Sequence, residues 1–152
     1  MSATLISIFE TLEQLFGSCD NDYVLLKDQK LSASWLEDYS NQRVVNSFLF
    51  NYIKIQDKLG ASLFRKLLLS LREIDHESLP MIDILNRLEK LEIIESVQEW
   101  DKLREIRNII AHEYPSDIEE RFENIALALH GYECLKSLFS NISQYARVKD
   151  VL

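Results

Sequence analysis

Only three glycines and two prolines punctuate these 152 residues. Folds made of many short strands need turn formers every few positions, so this scarcity points to few turns and long helices. The apolar spacing agrees. Over residues 4–16, Leu5, Ile8, Phe9, Leu12, Leu15 and Phe16 recur at helical intervals, and Gly17 is placed to end that helix. Residues 18–31 read as irregular, with a short helix around Tyr23–Leu26. Ser34 with Glu37 has the capping-box pattern and predicts a long helix from Trp35 to about Leu59, with Val44, Val45, Phe48, Leu49, Tyr52, Ile53 and Ile55 as its apolar face. Gly60 marks a break or kink, after which Leu63, Phe64, Leu67, Leu68 and Leu71 resume the pattern. Pro80 suits the first turn of a shorter helix carrying Ile82, Leu85, Leu88 and Leu91. Ser96 with Glu99 and Ser116 with Glu119 are two further capping boxes, the second opening a final helix from Asp117 to about Tyr145. The expectation is an all-α bundle of about five helices with short connections, residues 1–152 forming one domain.

Hydrophobic residues make up 47% and charged residues 28%, ordinary for a globular protein with a buried core. The longest apolar runs, such as Leu67-Leu68-Leu69, cannot span a bilayer. No basic stretch precedes the first apolar segment, and Glu10 and Glu13 interrupt it, so the expected location is the cytoplasm with no membrane partner. Cys19 and Cys134 lack metal or redox spacing and read as reduced thiols. The formal charge of −8 excludes broad, non-specific nucleic-acid binding but leaves room for a small basic cleft. Lys102, Arg104 and Arg107 are the only concentration of positive charge that sequence places near polar chemistry.

The polar chemistry lies in the segment from Leu103 to Pro115. Arg104, Arg107, Asn108, His112 and Tyr114 fall within about three helical turns, ahead of the proline stop. With about 100° per residue, Arg104, Asn108 and Ala111 share one side, flanked by Arg107, while Leu103, Ile106, Ile109 and Ile110 point towards the core. A plain solvated face would be glutamate and lysine at i,i+4 spacing. Arg107 and His112 diverge by about 140° on an ideal helix. Two copies about a twofold axis would bring the arginine of one beside the histidine of the other; alternatively, the long arginine curls around a loosened last turn. The competing structural reading has Asn108 and His112 capping the helix end and the arginines paired with Glu105 or Glu113, with Arg104 divided between phosphate contact and structural pairing. His76 and His130 stand without a polar constellation, Trp35 and Trp100 read as packing anchors, and the acids Asp117, Glu119, Glu120 and Glu123 suit a helix N-terminus.

An imidazole beside guanidinium groups suits phosphodiester cleavage in RNA. An imidazole exchanges a proton near neutrality, a guanidinium stabilises the extra charge of a pentavalent phosphate, and the ribose 2′-hydroxyl is an internal nucleophile. The products would be a 2′,3′-cyclic phosphate and a 5′-hydroxyl. No grouping of Asp, His or Cys has metal-ligand spacing, so the expected chemistry uses no metal.

The stretch from Trp100 to Tyr114, about a tenth of the chain, resembles the signature of the HEPN superfamily, all-helical proteins carrying Arg-x4-6-His. Here it is Arg107-Asn-Ile-Ile-Ala-His112, and the longer form Arg-Asn-x-x-x-His-x-Tyr, ending at Tyr114, resembles the HepT toxin branch and related nucleotidyltransferase substrate-binding proteins. The resemblance implies a HEPN-type bundle forming a twofold homodimer with the motif helices lining a cleft. It implies Arg107 and His112 as catalytic residues of a ribonuclease toxin acting on transfer or messenger RNA, with Asn108 orienting them. It implies as partner a small MNT-type nucleotidyltransferase antitoxin, which uses ATP and Mg to place AMP on Tyr114, while the toxin itself needs no cofactor. Such AMP groups would add bulk and negative charge where the RNA phosphate must sit. The alternative it leaves open is a non-catalytic substrate-binding subunit of a nucleotidyltransferase.

Overall fold

Leu5, Phe9, Leu12, Phe16, Cys19, Tyr23 and Leu26 follow one another in alternating steps of four and three, and all are buried. That single stripe carries one helix, α1 (Ala3–Leu26), straight through Gly17. The expectation that Gly17 ends the helix and that residues 18–31 are irregular is therefore corrected. A glycine inside a helix costs only about 1 kcal/mol, less than burying Cys19, Tyr23 and Leu26 returns. The computed structural model describes residues 3–112 and 117–152.

A short helix, α2 (Ala33–Glu37), comes next. Its cap is Ser32, whose Oγ accepts from the Trp35 amide at 3.1 Å; Ser34, the expected cap, instead shares a hydroxyl contact with Ser32 at 3.1 Å. Asp38 then breaks the path and caps α3 (Tyr39–Lys58) by accepting from the Ser40 amide at 2.8 Å. Asn41 and Gln42 donate back to the Trp35 and Leu36 carbonyls at 2.8 and 2.7 Å, tying the corner. The expected single helix from Trp35 is thus two, because the aspartate competes for the backbone amide ahead of it.

Gly60 does not break the chain. A π-helical turn, Leu59–Leu63, joins α3 to α4 (Phe64–Ser70) without interruption. A Cβ on Gly60 would lie 2.9 Å from Cζ2 of Trp100, so the glycine admits the indole against the backbone. Trp100 is buried and meets Phe64 edge-on at 4.6 Å between ring centroids. The inserted residue keeps Leu59, Leu63, Phe64, Leu67 and Leu68 all in the core.

Then follow α5 (Met81–Lys90), with Pro80 at its cap position; α6 (Val97–Ala111), capped as expected by Ser96 accepting from the Glu99 amide at 3.0 Å; and α7 (Ile118–Val148). The cap of α7 is Asp117, accepting from the Glu119 amide at 3.0 Å; Ser116 and Pro115 lie outside the described residues. Non-glycine residues in the left-handed region close α4, α5 and α7: Arg72 (φ 60), Glu92 (φ 60) and Asp150 (φ 58). In each case the next amide reaches back to a helical carbonyl, as Glu73 to Leu68 at 2.9 Å and Ile93 to Leu88 at 2.9 Å. A glycine-poor chain has stopped its helices without the residue best suited to the task.

The described residues form an all-helical bundle, with no strand and six helical rods when α3, the π-turn and α4 count as one. None is long and apolar enough to cross a membrane among the described residues. α1 packs chiefly on α3, and α6 lies against α7 and α3. On α7, Ala128 and Gly131 let the helix approach Tyr52 of α3 so closely that a Cβ on Gly131 would collide with the tyrosine hydroxyl. Tyr132 donates to the Phe16 carbonyl at 3.1 Å and sits near Asp20 Oδ1 at 3.2 Å, locking α7 to α1.

Candidate active site at the end of α6

Leu103 anchors α6 in the core, with Ile106 and Ile110 half-buried behind it. Ile109 departs from the expected inward set: it is 40% exposed. The helix sits in the angle between α3 and α7, so only one edge of its apolar side is covered there. On the outer side Arg104, Asn108 and Ala111 are exposed, as the helical wheel requires.

Arg107 turns towards α3. Its Nε donates to Asp57 Oδ1 at 3.0 Å and its Nη2 to Oδ2 at 2.9 Å, a two-pronged pair between residues fifty positions apart. The arginine side chain is 30% exposed and the aspartate 52%. The hydrogen bonds it donates to Asp57 raise the guanidinium above its already high ordinary pKa, so the charge is permanent. Arg104 makes a looser pair within its own helix, with Asp101 at 3.5 Å. The partners of these two arginines are thus Asp57 and Asp101 rather than the expected Glu105, and Glu113 lies outside the described residues.

His112 occupies the C-cap of α6 with extended backbone (φ −76, ψ 166), and its amide still reaches the Ile109 carbonyl at 3.4 Å. The imidazole is exposed and lines a cavity of ≈ 230 Å³ among α3, α6 and α7. Phe50 and Ile53 of α3 form one wall, Ile109 and Ile110 another, and Arg121 with Asn124 of α7 the third. Arg107 and Asn108 are absent from that lining. Within one chain, then, Arg107 is held on the α3 side while His112 borders the cavity, and the cation that shares the cavity with the imidazole is Arg121. Tyr114 lies outside the described residues.

Two contributors escaped sequence reasoning. Asp57 carries no sequence signal, because no local pattern connects it to Arg107 fifty positions away. Arg121 is the one cation in the acidic run Asp117–Glu123, an oddity that could have marked it. The cysteines meet expectation as free thiols: Cys19 is buried against the Phe48 carbonyl at 3.7 Å, and burial pushes its thiol up to about 12. His76 bonds Ser78 at 2.7 Å and His130 faces Cys134 at 3.9 Å, both surface contacts.

The rim of the His112 cavity is unusually apolar for an exposed place. Phe50 is 59% exposed, with Lys54 Nζ 4.6 Å over its ring, and Ile109 stands beside it. An uncovered aromatic next to a polar constellation suits contact with another macromolecular surface. No family model matches the chain, and neither the curated proteins nor the solved structures contain a match to it.

Proposed function

We propose that this chain is a HEPN-type ribonuclease that cuts RNA without a metal ion, in a cleft completed by a second copy of itself. The reading is carried by one observation: His112 stands exposed at the mouth of a cavity that also presents a guanidinium, while Arg107 is braced nearby on the same helix. In the reaction the ribose 2′-oxygen bonds to phosphorus, its proton passes to an imidazole, and the 5′-oxygen departs with a proton returned to it, leaving a 2′,3′-cyclic phosphate and a 5′-hydroxyl. Arg107 of one copy, with Arg121, stabilises the added charge on the phosphorane. Arg104, exposed on the outer face, contacts the flanking phosphate, and Asn108 helps orient the catalytic pair. The apolar rim of Phe50 and Ile109 supports a twofold contact that would bring Arg107 of one copy towards His112 of the other. As a toxin, the protein would be silenced by an MNT-type nucleotidyltransferase that transfers AMP from ATP to Tyr114, with release of pyrophosphate.

The second reading is a non-catalytic subunit that binds a nucleotidyltransferase. The net charge of −8 and the engagement of Arg107 by a carboxylate favour it.

Purified protein incubated with RNA in EDTA separates the two. The ribonuclease reading expects cyclic-phosphate ends, lost in His112→Ala and reduced at least about tenfold in Arg121→Gln. Undiminished cleavage by His112→Ala would remove the catalytic assignment. Intact RNA together with tight binding to the nucleotidyltransferase would transfer the case to the second reading. Incubation with that enzyme and ATP should raise the mass by AMP units, and full modification of Tyr114→Phe would discard Tyr114 as acceptor.

A further inference from the structure

A second recess lies away from His112. It is a groove of ≈ 680 Å³ between the first turns of α1 and the π-turn with α4. Thr4, Ser7 and Ser62 line it, together with Lys58 and Arg65. Arg65 Nη1 donates to the carbonyls of Glu77 at 2.6 Å and Leu79 at 2.5 Å. The guanidinium is thereby fixed in place by neutral acceptors, with its charge uncancelled. Lys66 is matched by Glu77 at 2.9 Å. Asp57, the neighbour of Lys58 in sequence, is spent on Arg107. Three cations against one carboxylate leave this lining two charges positive, in a protein whose total is −8.

We propose that this groove is a phosphate-binding track for the backbone of single-stranded RNA. The inference rests on the ribonuclease reading, which makes single-stranded RNA the ligand to be held; the groove shares no lining residue with the His112 cavity, so the track would hold RNA away from the reacting atoms. Fixed cations and hydroxyl donors recognise phosphate and ribose oxygens. No aromatic ring lines the groove to stack a base, which suits a passing backbone better than a captured free nucleotide. The track also answers how an acidic protein holds RNA: by local charge rather than by its overall balance. The sequence does not signal it, because six residues separate Lys58 from Arg65 and the hydroxyl residues of α1 lie about fifty positions earlier.

Binding of a fluorescein-labelled oligoribonucleotide, followed by anisotropy in EDTA over a range of salt, tests the proposal. The full-length His112→Ala protein serves as the non-cutting parent. Lys58→Gln should weaken binding by about three- to tenfold and lower the log–log salt slope by about one. Ser7→Glu, on an exposed face of α1, should weaken it similarly by adding a repelling carboxylate, and circular dichroism of both variants should match the parent. Equal affinity and slope in both variants would overturn the track, whether or not wild-type protein cuts RNA. So would Lys58-dependent binding of ATP or pyrophosphate with no binding of RNA, which would make the groove a site for free phosphates. Lys58-dependent RNA binding without any cutting by wild-type protein would keep the track and remove the nuclease.

Discussion

Asp57 grips Arg107 with both carboxylate oxygens, at 3.0 and 2.9 Å, across fifty residues of chain. The pair fixes which way the guanidinium points and at the same time places a negative charge where a phosphate would approach it. A carboxylate so placed orients the arginine and, on the ribonuclease reading, would compete with a phosphate for it.

Replacing the carboxylate by an amide relieves the competition. Asp57→Asn should bind RNA several-fold more tightly than the parent, with a steeper salt dependence, while cleavage at saturating RNA falls because the arginine is no longer held. Since Asp57 is half-exposed, the loss of stability should be below about 1 kcal/mol. Steady-state kinetics alongside thermal melting separates these effects; unchanged affinity would mean that Arg107 does not meet phosphate.

Gly131 and Tyr52 make the closest approach between α7 and α3. Tyr52 is fully buried, and its hydroxyl has no hydrogen-bond partner among the described residues. Gly131→Ala should destabilise by about 1–3 kcal/mol through overpacking. Tyr52→Phe removes both the colliding atom and an unsatisfied polar group, so it should leave stability equal or higher and erase most of the alanine penalty when the two are combined. Urea melts of the four proteins would show it; additive losses would contradict the collision.

Glycine sits where it is not needed and is missing where it would help. A Cβ on Gly17 meets nothing within 4 Å, so Gly17→Ala should stabilise by about 0.5–1 kcal/mol. Glu92, left-handed at φ 60 behind α5, should accept glycine with a gain of about 1 kcal/mol. These correspond to a rise of about 1–4 °C in melting temperature for a chain of this size, and a fall in either would show that the position is constrained by more than these contacts.

Acid should loosen the junction of α1 and α7. The hydrogen bond from Lys136, at 2.8 Å, holds the Asp20 carboxyl below the usual carboxylate range, with help from Tyr132 and against a smaller opposing effect of burial. Because the folded value lies below the unfolded one, this stabilisation is complete above the unfolded pKa of about 3.9 and disappears as pH falls through the folded value. Asp20→Asn should therefore melt slightly lower than wild type at pH 7, and the two curves should converge in strong acid. A constant gap down to about pH 2 would deny the linkage.

Helix content, the core stripes and the cap at Ser96 are decided by neighbours within a few residues, because helical periodicity and amide capping are local. The polar outer side of α6 is legible for the same reason. The chain alone could not say that the α1 stripe outweighs Gly17, that Asp38 rather than Ser34 starts α3, or that Gly60 yields to Trp100, since each is settled by what packs against it. Nor could it pair Asp57 with Arg107, set Arg121 beside His112, or gather Lys58 and Arg65 around one groove. Those relationships join separate helices, and only the packing of the bundle brings such residues within reach of one another.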